Sequence, residues 1–260
     1  MRWWRLLRLP LVELNFPIYK FSLVLLLALG LLASCTAGPK KVTIGTNAAF
    51  PPMEYLEKQT IVGFEIDLIS AIAKAAGFET TFQSVSWDKI FSGLERGDYD
   101  AVVSSVAITP VRQATYDFSN SYFNAGQITV VALESGATEL TKLGGKPVGV
   151  LAGTAGASAV EAALGKGDEK TYDEIGQAFE DLFNRRLAGL VVDLPVAVQY
   201  VLRNEKYKDS FKMIGEPLTD ENYGVVVKKG NTELLALINA GLEKIKADGT
   251  YDKIKAQWLQ

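Results

Sequence analysis

The chain has 260 residues, of which 48% are hydrophobic and 22% are charged, and its formal net charge is −3. This length suffices for one large domain or for two lobes that each have a core, and the composition argues against disorder beyond the N-terminal region. With no histidine and a single cysteine, the chain has no serine, histidine and aspartate triad, no histidine metal site and no internal disulfide. We therefore expect no metal and no other cofactor.

The N-terminal residues have the pattern of a secretory signal. Four basic side chains precede a mostly apolar run at 21–32, which is too short to span a bilayer, and Ala33 and Ser34 follow. Residues 32–35, LASC, resemble a bacterial lipobox, in which Cys35 would be lipidated. We predict a signal peptide at 1–34 and a lipidated tether at 35–41, which would anchor an extracytoplasmic protein to the membrane of the cell envelope. The alternative is a cleaved signal peptide followed by an incidental cysteine.

The remainder of the chain is acidic. Without residues 1–34 it has 23 basic and 29 acidic side chains, which argues against a nucleic-acid partner.

From residue 42 onward, predicted strands and helices alternate. The first unit has strands at 42–45, 80–83 and 101–103 and helices at 67–76 and 88–96. Gly77 is placed to end the first of these helices. The remaining strands are predicted at 128–133, 147–151, 190–193 and 223–227, and the remaining helices at 157–164, 177–186, 195–203, 234–247 and 251–258. This alternation predicts an α/β fold with mainly parallel sheets that are covered on both faces.

Two apolar strands, at 128–133 and 223–227, bracket the middle unit. We predict that they form a two-strand hinge between two lobes. Lobe 1 would then contain residues 42–131 and 226–260, and lobe 2 residues 132–225.

A short stretch after the strand at 101–103 is suited to binding a carboxylate. Ser104 and Ser105 end the strand and offer hydroxyl groups and free backbone amides. Thr109 and Pro110 are typical of a helix cap and a first helical position. Arg112 then lies in the first helical turn, where a cation opposes the helix dipole, so an anionic partner is indicated. Its guanidinium can hold a carboxylate through two parallel hydrogen bonds. The alternative is an ordinary solvated arginine.

Several segments resemble the bacterial extracellular solute-binding proteins of family 3, which serve ABC importers of polar amino acids. The resemblance covers residues 42–260 and includes GTNAAFPP at 45–52, GFEIDLISAIAKAA at 63–76, SSVAITPVR at 104–112, DFSNSYF at 117–123, GVLAGT at 149–154, VVDLP at 191–195 and DGTYDKI at 248–254. It implies a periplasmic-binding-protein type II fold of two lobes that trap one amino acid in their cleft. It also implies a partner ABC permease in the membrane and a binding protein rather than an enzyme. The sequence gives no sign of oligomerisation, so we expect a monomer.

The resemblance assigns the two ends of an amino acid to two residues. Arg112 aligns with the arginine that binds the α-carboxylate, with help from Ser105 and from the loop that contains Gly153 and Thr154. Asp193 aligns with the aspartate that binds the α-ammonium group. The alternative for Asp193 is a helix cap, because a helix is predicted directly after it.

Other positions of the family site would contact the ligand side chain. Phe50 and Trp87 match aromatic positions that flank it, and Asn47 matches a polar position. The alternative for Trp87 is core packing, which is the more frequent role of an aromatic residue in such a loop. Asn47 stands where several binders of basic amino acids and glutamine have aspartate. Ala107 and Ala155 replace polar residues and offer only their backbone groups.

These departures favour a polar, uncharged ligand such as glutamine. Arginine stays open, because its guanidinium can stack on Phe50 or Trp87 without a carboxylate. An enzyme like the cyclohexadienyl dehydratases, with Glu54 as the acid, and a ligand-sensing module are the alternative functions.

Overall fold

The computed structural model describes residues 39–259. The predicted signal peptide and Cys35 lie outside the described residues, and so does most of the predicted tether. Within residues 39–259, no helix has the length and apolar character needed to cross a membrane.

The described chain forms fifteen strands and eight α-helices, which we number in chain order. The strands are β1 (Lys40–Thr46), β2 (Ala49–Phe50), β3 (Glu54–Glu57), β4 (Thr60–Val62), β5 (Phe78–Ser84), β6 (Ala101–Val102), β7 (Tyr116–Phe118), β8 (Phe123–Ala125), β9 (Gln127–Ala132), β10 (Val148–Leu151), β11 (Glu169–Tyr172), β12 (Gly189–Asp193), β13 (Phe211–Ile214), β14 (Glu221–Tyr223) and β15 (Val226–Lys228). The helices are α1 (Phe64–Ala76), α2 (Ile90–Arg96), α3 (Pro110–Thr115), α4 (Ala155–Leu164), α5 (Ile175–Phe183), α6 (Leu194–Val198), α7 (Thr232–Ala247) and α8 (Thr250–Leu259).

Two five-stranded sheets organise the two lobes. Their strand orders are β5-β1-β6-β15-β7 and β11-β10-β12-β9-β13. In each sheet one strand, β15 or β9, is antiparallel to its neighbours, and the others share one direction. The sheets are therefore mainly parallel, as the alternation of strands and helices predicts.

Helices cover these sheets and bury an apolar core in each lobe. In the first lobe, α1 packs against α7, and Ile44, Leu68, Ile72 and Leu242 are at most 1% exposed. The apolar spacing of α1 explains this face, and Gly77 ends the helix in the left-handed conformation, as predicted.

The strand pairs revise the predicted hinge. The prediction of residues 128–133 as a crossing is wrong, because β9 pairs with β12 and β13 on its two edges inside the second sheet. The second predicted crossing, 223–227, is divided between β14 and β15. The short ribbon of β8 and β14 links the two lobes instead. These two strands are too short and too polar to show a strand pattern, whereas β9 is apolar because it is buried along its whole length. We therefore propose lobe boundaries at this ribbon.

A small meander that the sequence did not predict positions part of the cleft. Strands β2, β3 and β4 form it, and its backbone meets the start of α1: the Phe64 and Glu65 amides donate to the carbonyls of Pro52 and Met53, both at 2.9 Å. These bonds start α1 at Phe64 rather than at residue 67.

Gly63 makes this close approach possible. A Cβ atom at Gly63 would lie 2.2 Å from the carbonyl oxygen of Met53, and its φ of 136° is outside the range that other residues adopt readily. We expect Gly63→Ala to reduce the free energy of unfolding by about 2 to 5 kcal/mol, because backbone strain and a backbone clash combine. Urea denaturation measures this loss.

Gly77→Ala is the matched control, since Gly77 also has a positive φ, but a Cβ atom at Gly77 would meet none of the described atoms within 4 Å. It should cost only about 1 to 2 kcal/mol. Equal losses in the two variants would contradict the role of the close approach.

Candidate functional site

A cleft between the lobes lies at the carboxyl ends of the parallel strands, where α/β sheets commonly bind ligands. All ten residues predicted for the site line this cleft: Asn47, Phe50, Trp87, Ser104, Ser105, Ala107, Arg112, Thr154, Ala155 and Asp193. The other lining residues are Ala49, Glu54, Gln127, Leu151, Asp173, Ile175 and Glu221.

Arg112 is held in the cleft by its helix and by two rings. Thr109 caps α3 by accepting a hydrogen bond from the Arg112 amide at 3.2 Å, as the sequence predicts. The guanidinium carbon lies 5.7 Å from the ring centre of Trp87 and 5.4 Å from that of Phe91. Nη1 donates to the Ala107 carbonyl at 2.9 Å. These contacts fix the guanidinium while leaving further N–H groups for an anion. Sequence reasoning missed Phe91.

Two hydrogen bonds join the lobes across the cleft. Nη2 of Arg112 donates to the Gly153 carbonyl at 3.3 Å, and Nε1 of Trp87 donates to the Ala152 carbonyl at 3.0 Å. Both donors belong to the first lobe, and both acceptors lie in the loop between β10 and α4. Trp87 therefore lines the cleft and contacts both lobes, and it also packs against a core cluster of the first lobe beside Phe91.

Asp193 lies opposite Arg112 at the end of β12. It is buried, and its carboxylate accepts a hydrogen bond from the hydroxyl of Tyr223. It makes no side-chain capping bond to α6, so the structure does not support the helix-cap alternative. Burial raises the pKa of Asp193 to about 6, and the nearby charge of Glu221 adds to the shift. A cationic ligand group beside Asp193 would reverse this shift.

Glu221 is a cleft residue that the sequence analysis did not identify. It is 9% exposed, and Nε2 of Gln127 donates to its Oε2 at 3.3 Å, but its Oε1 is buried and has no hydrogen-bond partner within residues 39–259. An unsatisfied buried carboxylate oxygen is costly, so a donor from a ligand would stabilise it. The run TDENY at 219–223 is typical of a polar loop, and only the pairing of β14 with β8 turns Glu221 inward.

The polar residues of the first lobe are tied into a fixed network. The backbone amide of Asn47 donates to Ser104 Oγ at 3.0 Å, and Ser104 Oγ donates to Glu54 Oε1 at 2.9 Å. The amide and hydroxyl of Ser105 both donate to the carboxylate of Glu65. The expectation that Ser105 offers a free amide is therefore wrong, because Glu65 already accepts it.

Thr154 and Ala155 form the start of α4 on the opposite lobe. Thr154 caps this helix through a weak bond from the Ala157 amide at 3.4 Å, and its hydroxyl donates to the Leu151 carbonyl at 2.8 Å. The hydroxyl of Thr154 is thus occupied by its own lobe. The first amides of α4 and the positive end of its dipole remain suited to an anionic group.

The cleft has more carboxyl groups than cations. Four carboxyl side chains line it, from Glu54, Asp173, Asp193 and Glu221, and Arg112 is the one cation among the described residues that line it. Asp173 is exposed at the edge of the cleft. In the part of the chain that the structure describes, histidine, cysteine and acidic residues form no group of three or more that could hold a metal ion.

Comparison with known proteins identifies relatives over nearly the whole described chain. The chain is 35% identical over 234 residues to a probable histidine-binding protein of Neisseria gonorrhoeae, covering 87% of this chain and 86% of the relative. It is 33% identical over 238 residues to the ABC transporter arginine-binding protein 1 of Escherichia coli strain K12, covering 88% of this chain and 96% of that relative.

Solved structures give the same picture. The arginine-, lysine- and histidine-binding protein ArtJ of Geobacillus stearothermophilus has a TM-score of 0.80 at 36% identity, covering 84% of this chain and 95% of that one. An ancestral arginine-binding protein bound to glutamine has a TM-score of 0.78 at 39% identity, covering 84% of this chain and 97% of that one. An ancestral arginine-binding protein bound to arginine has a TM-score of 0.79 at 38% identity, covering 85% of this chain and 98% of that one.

These likenesses confirm the predicted two-lobed type II periplasmic-binding fold. The model of the bacterial extracellular solute-binding proteins, family 3, matches residues 42–260. The relatives are amino acid binding proteins, several of them from ABC transporters, and not enzymes. This chain belongs to the bacterial extracellular solute-binding proteins of family 3.

Proposed function

We propose that this protein binds an L-amino acid with a basic side chain, such as arginine, and delivers it to an ABC importer. The observation that carries the proposal is the buried oxygen of Glu221, which has no partner within residues 39–259, in a cleft with four carboxyl groups and one guanidinium. Arg112 would bind the ligand carboxylate, and Asp193 would bind the α-ammonium group. The remaining acidic groups then favour a second positive charge on the ligand.

The sequence alone favoured glutamine, because Asn47 replaces an aspartate and because Ala107 and Ala155 offer only backbone groups. The carboxyl groups of Glu221 and Asp173 also line the cleft, and they favour a cationic ligand side chain instead. Phe50 and Trp87 line the same cleft and offer ring faces on which a guanidinium can stack. The histidine- and arginine-binding relatives support the same ligand class.

Lobe closure follows from the positions of the two polar anchors. Arg112 belongs to the first lobe and Asp193 to the second, so one zwitterion contacts both lobes only when the cleft is closed. A ligand therefore shifts the population toward the closed state by the difference between its affinities for the two states. The hydrogen bonds from Trp87 and Arg112 to the opposite loop add to this closed state.

The cellular setting is part of the proposal. We infer that Cys35 is the lipidation site and that the protein acts as a monomer outside the cytoplasmic membrane. Labelling with a lipid precursor, in the parent and in Cys35→Ala, tests the anchor, and light scattering tests the monomer.

Isothermal titration of the purified protein with arginine, lysine, histidine and glutamine tests the ligand class. We expect micromolar or tighter binding for at least one basic amino acid. Glu221→Gln should weaken the binding of arginine at least tenfold, since a hydrogen bond to a charged group contributes about 1.5 to 3 kcal/mol. It should weaken the binding of glutamine less.

Asp220→Asn is the matched control, because Asp220 is the exposed neighbour of Glu221 and does not line the cleft. The affinity of Asp220→Asn for each of these amino acids should stay within about twofold of the parent's affinity. Tight binding of glutamine with no measurable binding of any basic amino acid would contradict the proposal.

The dehydratase alternative rests on Glu54, a buried carboxyl group in the cleft, and on a likeness to a solved ancestral amino acid-binding protein described as a precursor of cyclohexadienyl dehydratase. We expect no turnover, because Arg112, Asp193 and Glu221 together suit a zwitterion. Consumption of prephenate or arogenate by the purified protein would favour the enzyme.

A further inference from the structure

Two buried carboxyl groups are neighbours at the cleft: Glu54 lines it and Glu65 does not. Glu54 on β3 is 1% exposed and Glu65 at the start of α1 is fully buried. They are brought together because the backbone of the meander pairs with the first amides of α1 at Gly63. Two adjacent carboxylates without a cation between them cannot both be ionised at low cost.

The hydrogen-bond donors around the pair favour ionisation of Glu65 over ionisation of Glu54. Glu65 accepts bonds from the amide of Ser105 at 2.9 Å, from its hydroxyl at 3.0 Å and from the hydroxyl of Tyr122 at 2.6 Å. Glu54 accepts a bond from Ser104, and its Oε2 is buried without a hydrogen-bond partner in the described part of the chain. The donors stabilise the carboxylate of Glu65, so a single proton held by the pair is favoured on Glu54, whose Oε2 has no donor among the described residues to stabilise it as a carboxylate.

The surrounding charges act in the same direction. Burial, followed by the charge of Glu65, raises the pKa of Glu54 well above its ordinary value, and Asp193 at the end of β12 contributes. Burial also raises the pKa of Glu65, but its donors oppose that shift. The other titratable or charged groups around the pair are Tyr122, Tyr223 and Tyr251 behind it and Arg112, Asp173 and Glu221 along the cleft.

We propose that binding of an amino acid with a cationic side chain expels the proton shared by Glu54 and Glu65, whereas binding of an uncharged amino acid retains it. The O–H bond of Glu54 breaks, the proton passes to solvent, and the ligand cation replaces it beside the carboxylate. This inference rests on the proposed function. It lets one cleft match its charge to either class of ligand, and affinity for the cationic class rises with pH.

Titration calorimetry at pH 5 to 8, in buffers with different enthalpies of ionisation, counts the protons released. We expect arginine to release up to about one proton more than glutamine, and its affinity relative to glutamine to rise by up to about tenfold per pH unit. The comparison with glutamine removes the contribution of Asp193, because both ligands present the same α-ammonium group to it.

Glu54→Gln should abolish the difference in proton release between arginine and glutamine, because the glutamine side chain at position 54 has no acidic proton to lose. Glu57→Gln, at an exposed position of the same strand, should leave the difference unchanged. Equal release from arginine and glutamine by the parent protein across this range would overturn the inference, even with both ligands bound. Absence of binding by both amino acids would overturn the proposed function, and this inference with it.

Discussion

Replacing Arg112 by alanine is expected to weaken amino acid binding by about 2 to 5 kcal/mol, which is roughly thirty-fold to several-thousand-fold in Kd. The physical reason is that the ligand carboxylate would lose a fixed guanidinium and stay partly buried without a cation. The loss should be similar for every amino acid that binds, because all share the α-carboxylate. Isothermal titration of parent and variant gives both affinities.

Two further variants sharpen this test. Arg112→Lys keeps the charge but has neither the planar pair of donors nor the flat face that packs beside Trp87 and Phe91, so it should recover only part of the affinity. Arg96→Ala removes an exposed arginine that pairs with Asp98 and should have no effect on Kd. If Arg112→Ala bound within threefold of the parent, the carboxylate assignment would be wrong.

Asp193→Asn should have opposite effects on binding and on the stability of the ligand-free protein. Binding should weaken at least tenfold, because the α-ammonium group loses its anionic partner. The ligand-free protein should gain up to roughly 3 kcal/mol at pH 8, because burial holds the pKa of Asp193 at about 6, above the ordinary value of 3.8, and ionisation therefore costs stability.

The pH dependence has a definite sign. A carboxyl group with a raised pKa binds more protons in the folded state than in the unfolded state. Its contribution to the free energy of unfolding therefore falls as pH rises from about 4 to 6 and is constant above that range. The melting temperatures of parent and variant should therefore diverge between about pH 4 and 6 and keep a constant difference up to pH 8. Asp173→Asn is the control, because Asp173 lines the same cleft but is exposed. Parallel melting curves for the parent and Asp193→Asn would contradict the burial argument.

Local features of the sequence were sufficient to predict most of the strands and helices, and the motifs predicted ten residues that line the cleft. Thr109 and Pro110 identified the start of α3, and Gly77 identified the end of α1, because caps depend on a few adjacent residues. The buried strands were recognised from their apolar runs. The positions of Arg112 and Asp193 came from motifs in the expected order, and the structure brings both into one cleft.

Only the tertiary structure decided how distant segments pair. The crossing ribbon of β8 and β14 joins strands almost a hundred positions apart, and neither strand has an apolar pattern that could reveal it. Glu221 becomes a cleft residue through that pairing. Glu54 and Glu65 become neighbours because the backbone of the meander packs on the first turn of α1 at Gly63. Hydrophobic periodicity and caps are local properties of a sequence, whereas the charge of this cleft depends on which buried carboxyl groups long-range packing brings together.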